Sequence, residues 1–210
     1  MARPTTDVAA RVLGAAERLF AEHGYQGCSL LRIAKAAGTS ESGVLRFFAS
    51  KEDVFFAVIE SALTELHARF DAALSAPDAP APDAVAERLV LMMRVVFDLY
   101  ADEPDKVALT FSEGGLSVYM LKGSQGHTLM NLPGMQRLVE RVEALFALGC
   151  RRGTFVGIDP VAGREAWFGL VEGTILGWLL SSSPAGQYTA VSARKMLKVA
   201  RKMIDGLALR

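Results

Sequence analysis

The 210-residue sequence predicts an all-α fold of about nine helices. Three observations carry that expectation. Apolar residues recur every three to four positions through most of the chain, the period of a helix that buries one face. Prolines stand at the breaks between these stretches, where a missing N–H and a fixed φ do least harm. No segment alternates apolar and polar residues in the manner of a strand, and nothing repeats at a solenoid spacing.

The elements follow in order. Val8, Val12, Ala16, Leu19 and Phe20 form the stripe of a first helix, which Gly24 ends. A short second helix, Leu30 to Ala37, has Ser29 as its N-cap and stops at Gly38. A third spans about Ser40 to Phe48, and Val54 to Phe70 marks a long fourth. The segment 75–83, with Pro77, Pro80 and Pro82, is a linker into a fifth helix whose inward face holds Val85, Leu89, Met92, Met93, Val96, Phe97 and Tyr100. Pro104 opens a sixth, and residues 113–133 are glycine-rich. Pro133 opens a seventh helix to about Arg152, Asp159-Pro160 caps an eighth to about Ser182, and the last ends near Leu209. The expected domains are residues 1–50 and 51–210.

Composition narrows the classes further. Hydrophobic residues are 51% and charged residues 22%, which fits a folded globular protein and excludes intrinsic disorder. The formal net charge is zero, so a uniformly basic protein is excluded. The zero hides polarity, because residues 1–51 carry seven basic and four acidic groups. Cys28 and Cys150 stand far apart and read as reduced thiols, while His23, His67 and His127 have no ligand partners nearby, so no metal or other cofactor is expected. The opening Arg3-Pro4 and the charged amphipathic stretch after it do not read as a signal peptide. The most apolar run, Ala166 to Leu180, contains Glu172 and is too short to span a bilayer. A soluble cytoplasmic protein without a membrane partner is expected.

Residues 30–49, LLRIAKAAGTSESGVLRFFA, have the spacing of a helix-turn-helix. Ala34 is small where two helices touch, and Gly38 tolerates the positive φ of the turn. Val44 and Phe48 face inward at i and i+4, which turns Glu41, Ser42, Leu45 and Arg46 outward. Such a face, with small polar groups first and an arginine further on, suits the major groove of DNA, and the N–H groups after Ser40 suit a phosphate. The same spacing also fits a plain helical hairpin.

The surroundings extend the pattern. A leading helix ends Phe20-Ala-Glu-His-Gly-Tyr25, then come Ile33-Ala34, Ala37-Gly38-Thr39-Ser40 and Phe48-Ala-Ser-Lys51-Glu52. Over residues 8–56 this resembles the TetR (tetracycline-repressor-like) family of bacterial transcriptional regulators. The resemblance implies a DNA contact set of Ser29, Thr39, Ser40, Glu41, Ser42, Arg46 and Lys51, with double-stranded operator DNA as the partner. One departure stands out. The family usually has a phosphate-contacting Tyr at the position of Leu45, often with Gly at that of Ser42, so here the phosphate contact falls to Arg46 and Lys51. The resemblance also implies a ligand-binding and dimerisation domain over residues 51–210, to which Arg151-Arg152-Gly153 and Glu172-Gly173 are similar in placement.

Gly169, Gly173 and Gly177 lie at i, i+4 and i+8 on one helix. Each disfavours the helix by about 1 kcal/mol relative to Ala, so the stripe suggests a close approach by another helix. That helix belongs either to the same chain or to a second copy. In the second case Trp178, Ile175, Leu179, Met196, Val199, Met203 and Ile204 supply the apolar area of a homodimer, and a two-fold protein matches a palindromic site. Met92, Met93, Phe97, Tyr100, Phe111, Tyr119, Met120 and Trp167 are large apolar groups that either fill the core or line the effector cavity the resemblance implies. Glu113, His127 and Glu172 are candidate polar anchors there. The reading that results is a ligand-responsive, homodimeric DNA-binding regulator, a repressor released by a small hydrophobic or amphipathic effector. A helical carrier of hydrophobic molecules is the alternative. No nucleophile elbow or phosphate loop supports an enzyme.

Overall fold

The computed structural model describes residues 5–103, 122–123, 126, 128–180 and 190–207. Among them are eight α-helices and no strand: α1 (Thr5–His23), α2 (Leu30–Ala36), α3 (Glu41–Leu45), α4 (Lys51–Ser75), α5 (Val85–Asp102), α6 (Pro133–Arg151), α7 (Pro160–Leu180) and α8 (Ala190–Leu207). A 3-10 turn, Leu129–Asn131, precedes α6. The helix expected from Pro104 lies outside the described residues.

The expected stops act as stops. Gly24 takes φ +68° and donates to Phe20 O, closing α1, and Gly38 takes φ +65° after α2. Ser29 caps α2, Ser40 caps α3, and the Asp159 carboxylate accepts the Ala162 N–H at the start of α7. The third helix is shorter than its periodicity suggests. It ends at Leu45, and the Val44 carbonyl accepts from both Phe47 and Phe48, which closes the last turn early while keeping Phe48 beneath Val44.

The chain forms two compact units. The first comprises residues 1–64 and 105–135. Its core joins Val12, Ala16, Phe20, Ile33, Val44 and Phe55 with Leu129 and Leu132. Phe20 and Phe55 meet edge to face at 5.4 Å, a favoured aromatic geometry. The α6 N-terminus closes on α4, where both Glu60 carboxylate oxygens accept the Gly134 N–H at 3.0 Å. A Cβ on Gly134 would sit 2.7 Å from Leu63 Cβ, so only glycine allows this approach.

The second unit comprises residues 65–104 and 136–210. Leu89, Met92, Met93 and Phe97 of α5 are fully buried in it. Trp167 of α7 donates to Leu89 O at 3.2 Å, which satisfies its buried indole. Gly149 and Gly163 leave space that the rings of Phe155 and Phe146 fill, and the two rings lie 5.3 Å apart. Arg164 bonds Glu143 at 2.6 Å, and Arg201 of α8 reaches Glu87 of α5 at 3.1 Å. No helix among the described residues is long and apolar enough to cross a membrane.

Candidate nucleic-acid interface

Three short contacts build the α2–turn–α3 segment. Ile33 and Ala34 of α2 are fully buried, and so is Val44 of α3. Thr39 N donates to Ala34 O at 2.9 Å, which bends the chain out of α2 through Gly38. Ser40 Oγ then accepts the Gly43 N–H at 3.1 Å and lies 3.0 Å from Ser42 Oγ. Gly43 belongs here because a Cβ would overlap Thr39 Oγ1. With Val44 facing the core, Glu41, Ser42, Leu45 and Arg46 are all exposed. Ser29 and Ser40 are exposed as well, and Thr39 is half-buried. The outward face is therefore the one the sequence pattern specifies.

Lys51 behaves differently from the other candidates. Its ammonium donates to Tyr25 O and Cys28 O, each at 3.1 Å, and stands 4.0 Å from the Tyr25 ring centroid. Two of its three donors thus fasten the loop between α1 and α2. The Tyr25 hydroxyl donates to Glu52 at 2.5 Å. That hydrogen bond is the main reason the Glu52 carboxyl is held below its usual range, whereas burial first and Glu52 second push the Tyr25 phenol up. Ser50 Oγ accepts the Asp53 N–H at 3.1 Å and starts α4. The Ser-Lys-Glu run thereby locks α4 to the loop ahead of α2. Sequence reasoning missed this role, although Tyr25 directly after a glycine was its one visible trace.

The family model for bacterial regulatory proteins of the tetR family matches residues 12–58, which span α1 to the first turns of α4. That segment, 47 of the 210 residues, is where the chain is similar to the tetR family. The fatty acid metabolism regulator protein of Bacillus subtilis is 22% identical over 172 residues, covering 81% of this chain and 83% of that protein. The repressor AcnR of Corynebacterium glutamicum is 40% identical over 47 residues, 22% of this chain and 25% of its own. The solved FadR of Bacillus subtilis in complex with stearoyl-CoA superposes with a TM-score of 0.69 at 19% identity, covering 91% of this chain and 96% of that one, and shares its fold. The chain is a DNA-binding transcriptional regulator.

Elsewhere in the chain the sequence candidates divide. Met92, Met93, Phe97 and Trp167 are packed into the second unit, and Tyr100 is half-buried. Phe111, Glu113, Tyr119, Met120 and His127 lie outside the described residues, so the structure brings only part of the expected cavity lining together. Glu172 is half-buried on α7. Gly169, Gly173 and Gly177 are exposed, and a Cβ on any of them meets nothing within 4 Å. Close packing among the described residues therefore does not explain the stripe. On α8, Met203 is 54% and Val199 46% exposed, while Met196 is half-buried and Ile204 fills the core. The side chains of Trp178 and Leu179 lie outside the described residues. A groove of about 500 Å³ between α5 and α8, lined by Val90, Arg94, Leu197 and Lys198 among others, had no counterpart in the sequence pattern.

Proposed function

We propose that this regulator is a repressor that reads a palindromic operator as a homodimer and is released by an acyl thioester of coenzyme A. The observation that carries the operator part is the exposed α3 face, Glu41, Ser42, Leu45 and Arg46, standing on the single buried anchor Val44. In this reading Ser42 and Glu41 meet base edges, Arg46 meets phosphate, and Ser29, Thr39 and Ser40 position the backbone near the strand. Lys51 acts chiefly by holding the α1–α2 loop, with one N–H left for a phosphate.

The homodimer forms through α7 and α8. The outward glycine stripe and the exposed Val199 and Met203 support this, because a second copy of the same surface would cover both. Two copies then present two α3 helices to successive half-sites about one DNA turn apart, near 34–36 Å. The acyl-CoA class is carried over from the fatty acid metabolism regulator and from FadR with stearoyl-CoA. The apolar α5 face, Met92, Met93 and Phe97, suits a flexible alkyl chain. The protein works in the cytoplasm, where both operator and thioester occur, and catalyses no reaction.

Selection of duplexes from a random pool with the full chain, followed by titration of the complex, tests both parts. Enrichment of an inverted repeat, and its release by stearoyl-CoA but not by free coenzyme A, is expected. Failure to enrich any duplex overturns the operator assignment. Enrichment without release by long or short acyl-CoA overturns the effector assignment alone.

A further inference from the structure

We infer that Leu45 reads the 5-methyl group of a thymine in each operator half-site. This rests on α3 being the DNA-reading helix. Leu45 is 45% exposed, and Phe47, just beyond the helix, is 36% exposed. Leu45 stands on an outward face whose other members, Glu41, Ser42 and Arg46, are polar or charged, and Leu31 of α2 is exposed as well, at 63%. The face belongs to the proposed DNA surface, and the cations Arg46 beside it and Arg32 and Lys35 on the preceding helix α2 are all exposed. Its occupant is therefore an anionic polymer that also offers an apolar group.

Duplex DNA meets both requirements. A phosphate gives a leucine side chain nothing to bond. In the major groove the one apolar feature of a base edge is the thymine C5-methyl. Ser42 and Leu45 are three residues apart and share a helix face. Three residues rise about 4.5 Å along the helix. Base pairs stack about 3.4 Å apart. The thymine accordingly lies one or two base steps from the base that Ser42 meets. An apolar reader in place of a phosphate contact also moves one position of the protein from nonspecific affinity to sequence choice.

The test removes the methyl alone. The full chain first selects its duplex from a random pool. Each fixed thymine of the half-site is then replaced in both halves by deoxyuridine, which changes no hydrogen bond. For one thymine, wild-type affinity should fall about fourfold per half-site, the value of roughly 0.8 kcal/mol for one buried methyl(ene) group, and about fifteenfold for the symmetric pair. Leu45→Ala, at a position outside the buried core cluster, should bind more weakly, melt close to wild type and lose the thymine–uracil difference. Its salt dependence should match wild type, whereas Arg46→Ala should lower the salt slope and keep the thymine–uracil difference. Equal losses on uracil in wild type and Leu45→Ala, or no loss at any thymine, overturn the inference while operator binding stands. Failure of the wild-type chain to select any duplex overturns the DNA-reading assignment, and this inference with it.

Discussion

At Gly163 and Gly14 the same residue type has opposite consequences. A Cβ on Gly163 would drive into the Phe146 ring, which is itself pressed by Phe155. Gly163→Ala should therefore cost about 1–3 kcal/mol through overpacking. Gly14 lies exposed in α1, and a Cβ there meets nothing within 4 Å. Gly14→Ala should stabilise by about 1 kcal/mol through helix propensity. Urea unfolding of the two variants beside wild type measures both signs. The Tyr25–Glu52 pair gives a pH prediction. Because the Glu52 carboxyl is held low in the folded state, its contribution is present above the unfolded glutamate value and is lost as pH falls through the folded one. Melting temperature should therefore drop between about pH 5 and pH 3 more steeply in wild type than in Tyr25→Phe, which lacks the donor. Identical acid limbs in the two proteins would show that the bond contributes nothing to stability.

Among the elements, α2 and α3 were the most legible in the sequence. Their caps Ser29 and Ser40, the small Ala34 and the turn residue Gly38 each have a local chemical requirement, so residue type alone placed them. The end of α3 was not legible, because Val44 and Phe48 keep helical spacing and their i+4 hydrogen bond although the helix itself stops at Leu45. Lys51 was legible as a cation but not in its partners, since its acceptors Tyr25 O and Cys28 O are more than twenty residues away in sequence. The glycine stripe was legible as a surface of small residues, yet only the exposure of Gly169, Gly173 and Gly177 in the structure shows which way it faces. Element-scale predictions follow from these placements. Lys51→Ala should lower stability by about 1.5–3 kcal/mol, the range for hydrogen bonds to a charged group, and weaken binding to all duplexes alike. Arg46 forms no ion pair among the described residues, so Arg46→Ala should leave melting unchanged and reduce the salt slope of operator binding by about 1 per half-site. Thermal melting and binding between 50 and 200 mM salt, where wild-type affinity should fall by roughly 10³–10⁵ if 6–10 phosphates are met, separate the two.

For the whole molecule, the assembly of two copies is the deciding property. Gly173→Leu has room within its own chain, since no described atom lies within 4 Å of an added Cβ. A loss of association with helicity unchanged therefore points to a second copy, whereas a loss of helicity would place the stripe inside the chain. Sedimentation should show monomers with unchanged helicity, and operator affinity should collapse, because a single half-site supplies half the contacts. A variant that remains dimeric would place the interface away from α7. One further property of the molecule follows from how α3 is hung. Its attachment runs through Val44, the caps and the turn, while positions 41, 42, 45 and 46 project outward from that frame. Those four positions lie outside the buried core cluster that carries the fold. On the proposed operator reading, folding and address are then largely separable: substitutions at four solvent-facing positions would retarget the protein while the Val44 anchor and the caps keep the helix in place.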